Sequence, residues 1–428
     1  MFREDCPISG SRTTPTPPYP AGMLAPTRQR VLPLLGPAFV ASIAYVDPGN
    51  VATGTQAGSR YGTLLLWVVV TSNGLAMLVQ YLSAKLGLAT GSDLPNLCRG
   101  RYRRAFAIGL WVQAELVAMA TDLAEVVGGA IALQLLFGLP LLVGGIVTGL
   151  VSFILLGLTR RGHRPFERAV LGLLAVVLTG FVVAALGAGV HPADVASGLL
   201  PRFAGSDSVI LAAGLLGATV MPHAVYVHSR LLGQRADGVD LAGRRGLLRA
   251  QAVDIPVAMG LAAVVNVAIL LTASSVFHDH GVQADTIQQA HAGLRAALGP
   301  GIALCFALAL LASGLASSSV GTLSGQIVMS GFLGITLPVN VRRLITLLPA
   351  VALLAVGVDA TTALIDSQVV LSFGLPFALV PLVLLTRDAE VMGGFVNRRV
   401  TTVAATVVVA LVVALDAALL GPVLLPPY

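Results

Sequence analysis

Apolar residues in this chain fall into long blocks separated by short polar segments, not into two-residue or 3.6-residue stripes. The blocks run 31–57, 62–88, 105–137, 139–158, 165–189, 208–233, 252–276, 299–332, 342–358, 361–386 and 400–421. A hydrocarbon layer about 30 Å thick takes about 20 apolar residues per helix. Within lipid, an open chain satisfies its main-chain polar groups only as helix. The pattern predicts an all-α, polytopic membrane protein with eleven transmembrane helices.

The polar segments between blocks fix an orientation. Placing the N-terminus inside puts Arg28 and Arg30, then Arg99, Arg101, Arg103 and Arg104, then Arg160, Arg161, Arg164 and Arg168 on the cytoplasmic side. Arg235, Arg244, Arg245, Arg249, Arg342, Arg343, Arg387, Arg398 and Arg399 join them, and only Arg60, Arg202 and Arg295 face out. Positive charge accumulates in cytoplasmic loops, so the N-terminus is expected inside and the C-terminus outside, in the inner (cytoplasmic) membrane. Residues 1–30, rich in Pro, Thr and Arg, lack the apolar stretch of a signal peptide and read as a disordered cytoplasmic tail.

Composition agrees with the pattern. Of 428 residues 56% are hydrophobic and 11% charged, against about 25% charged in soluble proteins. The net charge of +6 sits in the loop clusters, so membrane topology accounts for it and nucleic acid is not implied. Cys6, Cys98 and Cys305 are far apart, which indicates neither a disulfide framework nor a zinc site. The longest outward segment, Phe277 to Leu298, carries His278, Asp279, His280 and His291 without a ligand spacing and reads as solvated loop.

Two blocks are interrupted alike. The first contains Ala44-Tyr45-Val46-Asp47-Pro48-Gly49-Asn50 and the sixth Ala218-Thr219-Val220-Met221-Pro222-His223, each at mid-membrane depth. Five spans separate them, so the sixth crosses in the opposite sense and the repeat is inverted: 31–189 and 208–386, with 400–421 outside it. Paired Pro/Gly-interrupted spans in two inverted halves point to a transporter's binding site. Proline has no N–H, so Ala44 and Ala218 each lose the donor to their carbonyls. The residues before the prolines, Asp47 and Met221, are pushed out of helical geometry. A carboxylate, the amide oxygen of Asn50, a thioether and two carbonyls can then converge.

A lone transmembrane proline is ordinarily a kink and a lone methionine packing, but an intramembrane Asp costs about 2.5–3.5 kcal/mol and is a functional-site hypothesis by default. Oxygen ligands alone suit Na⁺, Mg²⁺ or Ca²⁺, whereas a thioether favours softer ions. One anion with neutral O and S donors suits a divalent ion that must later leave. Mn²⁺ or Fe²⁺ is expected as substrate, with Cd²⁺ and Co²⁺ accepted.

The DPGN of span 1, the MPH of span 6 and the stretch QAELVAMATDLAE from Gln113 to Glu125 resemble the natural resistance-associated macrophage protein family of proton-coupled divalent-metal transporters, from about Leu32 to Leu419. The resemblance implies a LeuT-type fold, with ten spans in the inverted repeat and the eleventh peripheral. It implies Asp47, Asn50, Met221 and the Ala218 carbonyl as metal ligands, with the Ala44 carbonyl and Gln368 joining in some conformations. By its residues alone Gln368 reads as an interhelical hydrogen bonder. No cofactor and no obligate protein partner are implied; the partners are the metal, protons and the bilayer.

Span 3 carries Glu115, Asp122 and Glu125 within about 80° of one another on a helix. Such a stripe is either a proton route or a set of pairs with arginines; the resemblance makes Arg343 a partner of it. His223 and His228 either exchange protons or satisfy backbone groups freed by Pro222. Asn73 and Asn266 either close an outer gate or join helices. The small-residue face of span 8, from Ser313 to Gly321, reads as close helix packing. Alternating access coupled to protons is the expected mechanism.

Rival readings are a sodium-coupled organic-solute symporter or a Mg²⁺ transporter, both disfavoured by Met221. An intramembrane enzyme is disfavoured as well, since no HExxH or GxSxG is present.

Overall fold

Each of the eleven apolar blocks folds as helix in the computed structural model, which describes residues 36–157, 163–190 and 192–424. The 1–30 tail with Cys6, Arg28 and Arg30, together with Arg160 and Arg161, lies outside the described residues. In chain order the helices are α1 (Pro37–Ile43), α2 (Pro48–Tyr61), α3 (Leu66–Thr90), α4 (Leu94–Arg101), α5 (Arg104–Phe137), α6 (Leu141–Gly157), α7 (His163–Gly187), α8 (Pro192–Gly198) and α9 (Ser206–Thr219). They continue as α10 (Pro222–Arg235), α11 (Leu241–Val276), α12 (Ile287–Leu298), α13 (Pro300–Leu333), α14 (Val339–Val356), α15 (Ala360–Thr386), α16 (Ala389–Met392) and α17 (Arg399–Leu424). No strand occurs among the described residues.

Among the described residues seven helices, counting α9 with α10 as one, are long and apolar enough to span a bilayer on their own. Two blocks are interrupted or short: the first is split into α1 and α2, and α6 has 17 residues. α7 has 25 residues and ends at a bend before α8, and α14 has 18 residues with Arg342 and Arg343 near its start.

The bundle is inside-out relative to a water-soluble protein. Its surface carries Ile154, Leu186, Val356 and Val400, each 71–81% exposed, while Asp47, Asp122, Glu125, His223, His228, Arg342 and Arg343 are buried. An apolar exterior is what lipid accepts, and the ionic groups survive only where other protein groups meet them.

Two elements correct the loop expectations. Phe277–Leu298 is not simply solvated loop: it holds α12, because Thr286 and Gln289 form a reciprocal capping box and Ile287, Ala290 and Leu294 bury one face. Its His278 and His280 flank a 3₁₀ turn, and among the described residues no group of three His, Cys, Asp or Glu gathers as a metal site. α11 begins at Leu241, where Asp240 caps it by accepting from Gly243 N, eleven residues before its apolar block.

The two ends of the bundle are stitched differently. At the arginine-rich end Arg230 pairs with Asp93 (3.1 Å), Arg101 with Asp388 (3.3 Å), and Arg244 donates to the carbonyls of Leu88 and Ala89. At the opposite end the α12 segment is tied to α2 by Arg60–Asp285 (2.7 Å) and by Ala284 N donating to Ser59 Oγ (2.7 Å). It is tied to α15 by Ile287 N donating to Thr361 Oγ1.

At the centre α5 and α13, the 34-residue third spans of the two halves, pack together. A methyl on Gly128 of α5 would overlap the Pro48 ring, and one on Gly314 of α13 would touch it at 3.5 Å. Overpacking a close contact costs about 1–3 kcal/mol. Gly128→Val should therefore lower the thermal unfolding temperature in detergent or the yield of folded protein, whereas Gly74→Ala, which faces open space, should leave both unchanged.

Candidate metal centre

The two interrupted spans leave helical geometry at Asp47 and at Val220–Met221, Val220 having φ −105° and ψ 88°. Asp47 has φ −85° and ψ 170°, Met221 φ −87° and ψ 119°, and each is followed by proline at the first position of a new helix. Asp47 caps α2: its Oδ1 accepts from Asn50 N at 2.7 Å.

Two of the carbonyls at the first break find new donors. Asn50 N, which would have served Val46 O, is turned to Asp47, and Ser313 Oγ of α13 donates to Val46 O instead (2.5 Å). Asn266 Nδ2 of α11 donates to Tyr45 O (3.0 Å). Asn50 Nδ2 donates both to Asp47 Oδ1 (3.0 Å) and, across the break, to Ala218 O (2.9 Å). The two interruptions therefore meet through one amide group. Gln368 of α15 lies over the same point: Nε2 is 3.5 Å from Asp47 Oδ2, and a methyl on Gly49 would overlap its side chain.

Asp47, Asn50, Ala44, Ala218, Met221 and Gln368 are at most 3% exposed, so the centre is closed at both ends. The Asn50 NH₂ lies between a carboxylate oxygen and a carbonyl oxygen, where positive charge is favoured. Turning that amide to present its oxygen would leave Asp47, Asn50 and Ala218 as three hard donors, and Met221, three residues on from Ala218, is fully buried at the second break. Gln368 Oε1 is buried without a hydrogen-bond partner among the described residues. Such a donor set fits a borderline divalent ion as transported substrate.

The span 3 acids face α13 and α14. Asp122 pairs with Arg343 (2.5 Å), which also donates to Ser318 Oγ, and Glu125 Oε1 accepts from Ser317 Oγ at 2.8 Å. The two acids flank Gly321, where a methyl would lie 3.1–3.4 Å from their oxygens. Glu115 is held by Arg342 through both carboxylate oxygens (2.9 and 3.1 Å). His223 Nδ1 is 3.4 Å from Thr121 Oγ1, next to Asp122 in the chain, while its carbonyl accepts from Ser324 Oγ. Its Nε2 is buried without a partner among the described residues.

His228 is placed apart from these acids. It lies between Gln80 Oε1 (2.7 Å) and Gln251 Oε1 (3.2 Å). Gln80 donates to the Tyr45 hydroxyl, and Gln251 donates to Asp254, which accepts from Gly36 N and Ala38 N at the start of α1. This polar chain runs along α1 from its N-terminal end to the break. Asn73 Nδ2 bonds only within its own helix, to Val69 O, and Asn266 serves the first break.

Several of these residues had no prior role in the sequence. Arg342 read as topology, yet it is buried and closes on Glu115 over Gly325, where a methyl would overlap its guanidinium. The span 8 face packs closely, and its Ser313, Ser317 and Ser318, with Ser324 beyond it, also bond the break, Glu125, Arg343 and the His223 carbonyl respectively. The recurrence of serines on a glycine-rich helix was the available signal. Gln80, Gln251 and Asp254 were visible only as isolated polar residues in apolar surroundings.

The model of the family described as natural resistance-associated macrophage protein-like matches residues 38–421. A divalent metal cation transporter, MntH, of Mycobacterium leprae is 53% identical over 373 residues, covering 86% of this chain and 87% of its own. The manganese transporter of Eremococcus coleocola, solved with an aromatic bis-isothiourea substituted compound, superposes with a TM-score of 0.82 at 33% identity, covering 93% of this chain and 89% of its own. Mhp1, a nucleobase-cation-symport-1 family transporter, is similar at a TM-score of 0.59 and 16% identity over 91% of this chain and 90% of its own. That likeness shows the fold, a LeuT-type inverted five-helix repeat with one helix outside it. None of these proteins is named as an enzyme. With its family match running from Ala38 in the first half-helix into α17, the chain belongs to the natural resistance-associated macrophage protein-like (Nramp) family.

Proposed function

We propose that this protein carries divalent transition-metal ions, Mn²⁺ and Fe²⁺ foremost with Cd²⁺ and Co²⁺ accepted, inward across the cytoplasmic membrane by proton-coupled alternating access. The observation that carries this reading is the single amide of Asn50 joining Asp47 of one break to the Ala218 carbonyl of the other. An ion placed there draws on both inverted halves at once.

The half-helices supply the alternation. α1 and α10 lead from the breaks to the arginine-rich end, which positive charge assigns to the cytoplasm, and α2 and α9 lead to the opposite end. The Gln80–His228–Gln251–Asp254 chain holds α1 inward-closed, and the Ser59 and Arg60 contacts hold α2 outward-closed. Releasing one set while the other stays made exposes the site to one side at a time. Asp47 binds the cation as carboxylate, so a proton it held must leave. His223 and the Asp122–Glu125 pair around Gly321 are the groups placed to take it. The inside-negative potential favours entry by about 2.3 kcal/mol per charge per 100 mV.

Reconstituted protein is expected to take up radiolabelled Mn²⁺ and not amino acids; the reverse result overturns the reading in favour of an organic-solute symporter. Asp47→Ala should abolish uptake while the protein still folds. Met221→Ala should lose about tenfold in discrimination against Ca²⁺ and Mg²⁺, equivalent to about 1.4 kcal/mol; unchanged discrimination removes the thioether from the account of selectivity.

In parallel Mn²⁺ and H⁺ flux under an imposed voltage, Glu125→Gln and His223→Ala should alter proton flux or its pH dependence more than metal affinity. Equal loss of both fluxes in each variant would show that metal and proton share one route.

A further inference from the structure

α17 lies outside the inverted halves, and after Arg399 its only ionisable residue is Asp416. A carboxyl in an apolar span is costly unless something meets it. Asp416 is 6% exposed; Oδ1 accepts from Ser372 Oγ of α15 at 2.7 Å, and Oδ2 is buried without a partner among the described residues.

Ser372 is one helical turn from Gln368 on the same helix. The flank of that turn is pressed against α9, where a methyl on Gly217 would overlap the Gln368 carbonyl and lie 2.8 Å from Ser372 N. The next residue, Ala218, gives its carbonyl to Asn50. The turn 368–372 is thus held by Asp416 at one end and by the Gly217 backbone along its side. Its other end brings Gln368 Nε2 to 3.5 Å from Asp47 Oδ2.

We propose that Asp416 is a positioning residue for the metal centre: its bond to Ser372 sets the rotation of the 368–372 turn and so the reach of Gln368 to Asp47. The helix outside the repeat thereby acts on the site without touching it. This rests on the reading of Asp47 and Gln368 as metal-facing given above.

The test is Mn²⁺ uptake in proteoliposomes, with KM and the maximal rate per folded molecule measured for Asp416→Ala, Asp416→Asn, Ser372→Ala and Gln368→Ala, and for Asp416→Ala combined with Gln368→Ala. Asp416→Ala and Ser372→Ala should each raise KM about fivefold, within the range of coupled neighbours, with the maximal rate kept. Asp416→Asn, whose amide oxygen still accepts from Ser372, should behave as the unaltered protein. Adding Asp416→Ala to Gln368→Ala should raise KM no further.

The proposal is overturned if Asp416→Ala lowers only yield or rate, if its effect on KM persists without Gln368, or if Asp416→Asn is as impaired as Asp416→Ala. Should Asp416→Ala fail to fold, Ser372→Ala gives the same reading. If Gln368→Ala leaves KM unchanged, the metal-facing reading of Gln368 fails. A raised KM in Gln368→Ala with a normal KM in Ser372→Ala and Asp416→Ala defeats the positioning role alone.

Discussion

A main-chain carbonyl deprived of its helical donor inside a low-dielectric bundle has to be met by something, and the centre of this protein is organised around that requirement. Two prolines at mid-span create the deficit. Three side chains from three different elements answer it: Asn266 at Tyr45 O, Ser313 at Val46 O and Asn50 at Ala218 O. Each answer also fixes a helix: α11 and α13 are tied to the first break, and α2 is tied to the end of α9. The irregular backbone persists because it is enclosed by protein.

The ionic groups obey the same accounting. Arg343 and Arg342 are nearly fully buried, and each is matched by an acid of α5, Asp122 and Glu115 respectively. Removing one partner of such a pair strands the other's charge, which is far more costly than losing a surface pair. Glu125 stands differently. It accepts from the Ser317 hydroxyl, and it lies close against Gly321 beside Asp122. The α5 stripe therefore holds two acids in direct arginine pairs and a third bonded to a serine hydroxyl.

What the sequence made legible follows from how local each signal is. The breaks could be read because proline acts on its own neighbours, so Asp47, Met221 and the affected carbonyls are determined within five residues. The helical blocks could be read because most are continuous and near lipid length. The partners of the released carbonyls could not, since Ser313 and Asn266 lie more than two hundred residues away and a lone serine or asparagine in an apolar span has no periodicity. Of the adjacent arginines 342 and 343, the sequence singled out one; helix rotation about 100° per residue aims them at different acids of α5. α12 was readable from Thr286-x-x-Gln289 and its spaced apolar residues, although the polar turn His278–His280 before it has the composition of a solvated loop.

The ring of Pro48 sits between α5 and α13 at two positions where neither helix carries so much as a methyl group, Gly128 and Gly314. Such contacts leave Pro48 little room to slide between the two helices, so the carboxylate one residue before it is anchored close to the packed centre while the far end of α1, at Gly36, lies well away from it.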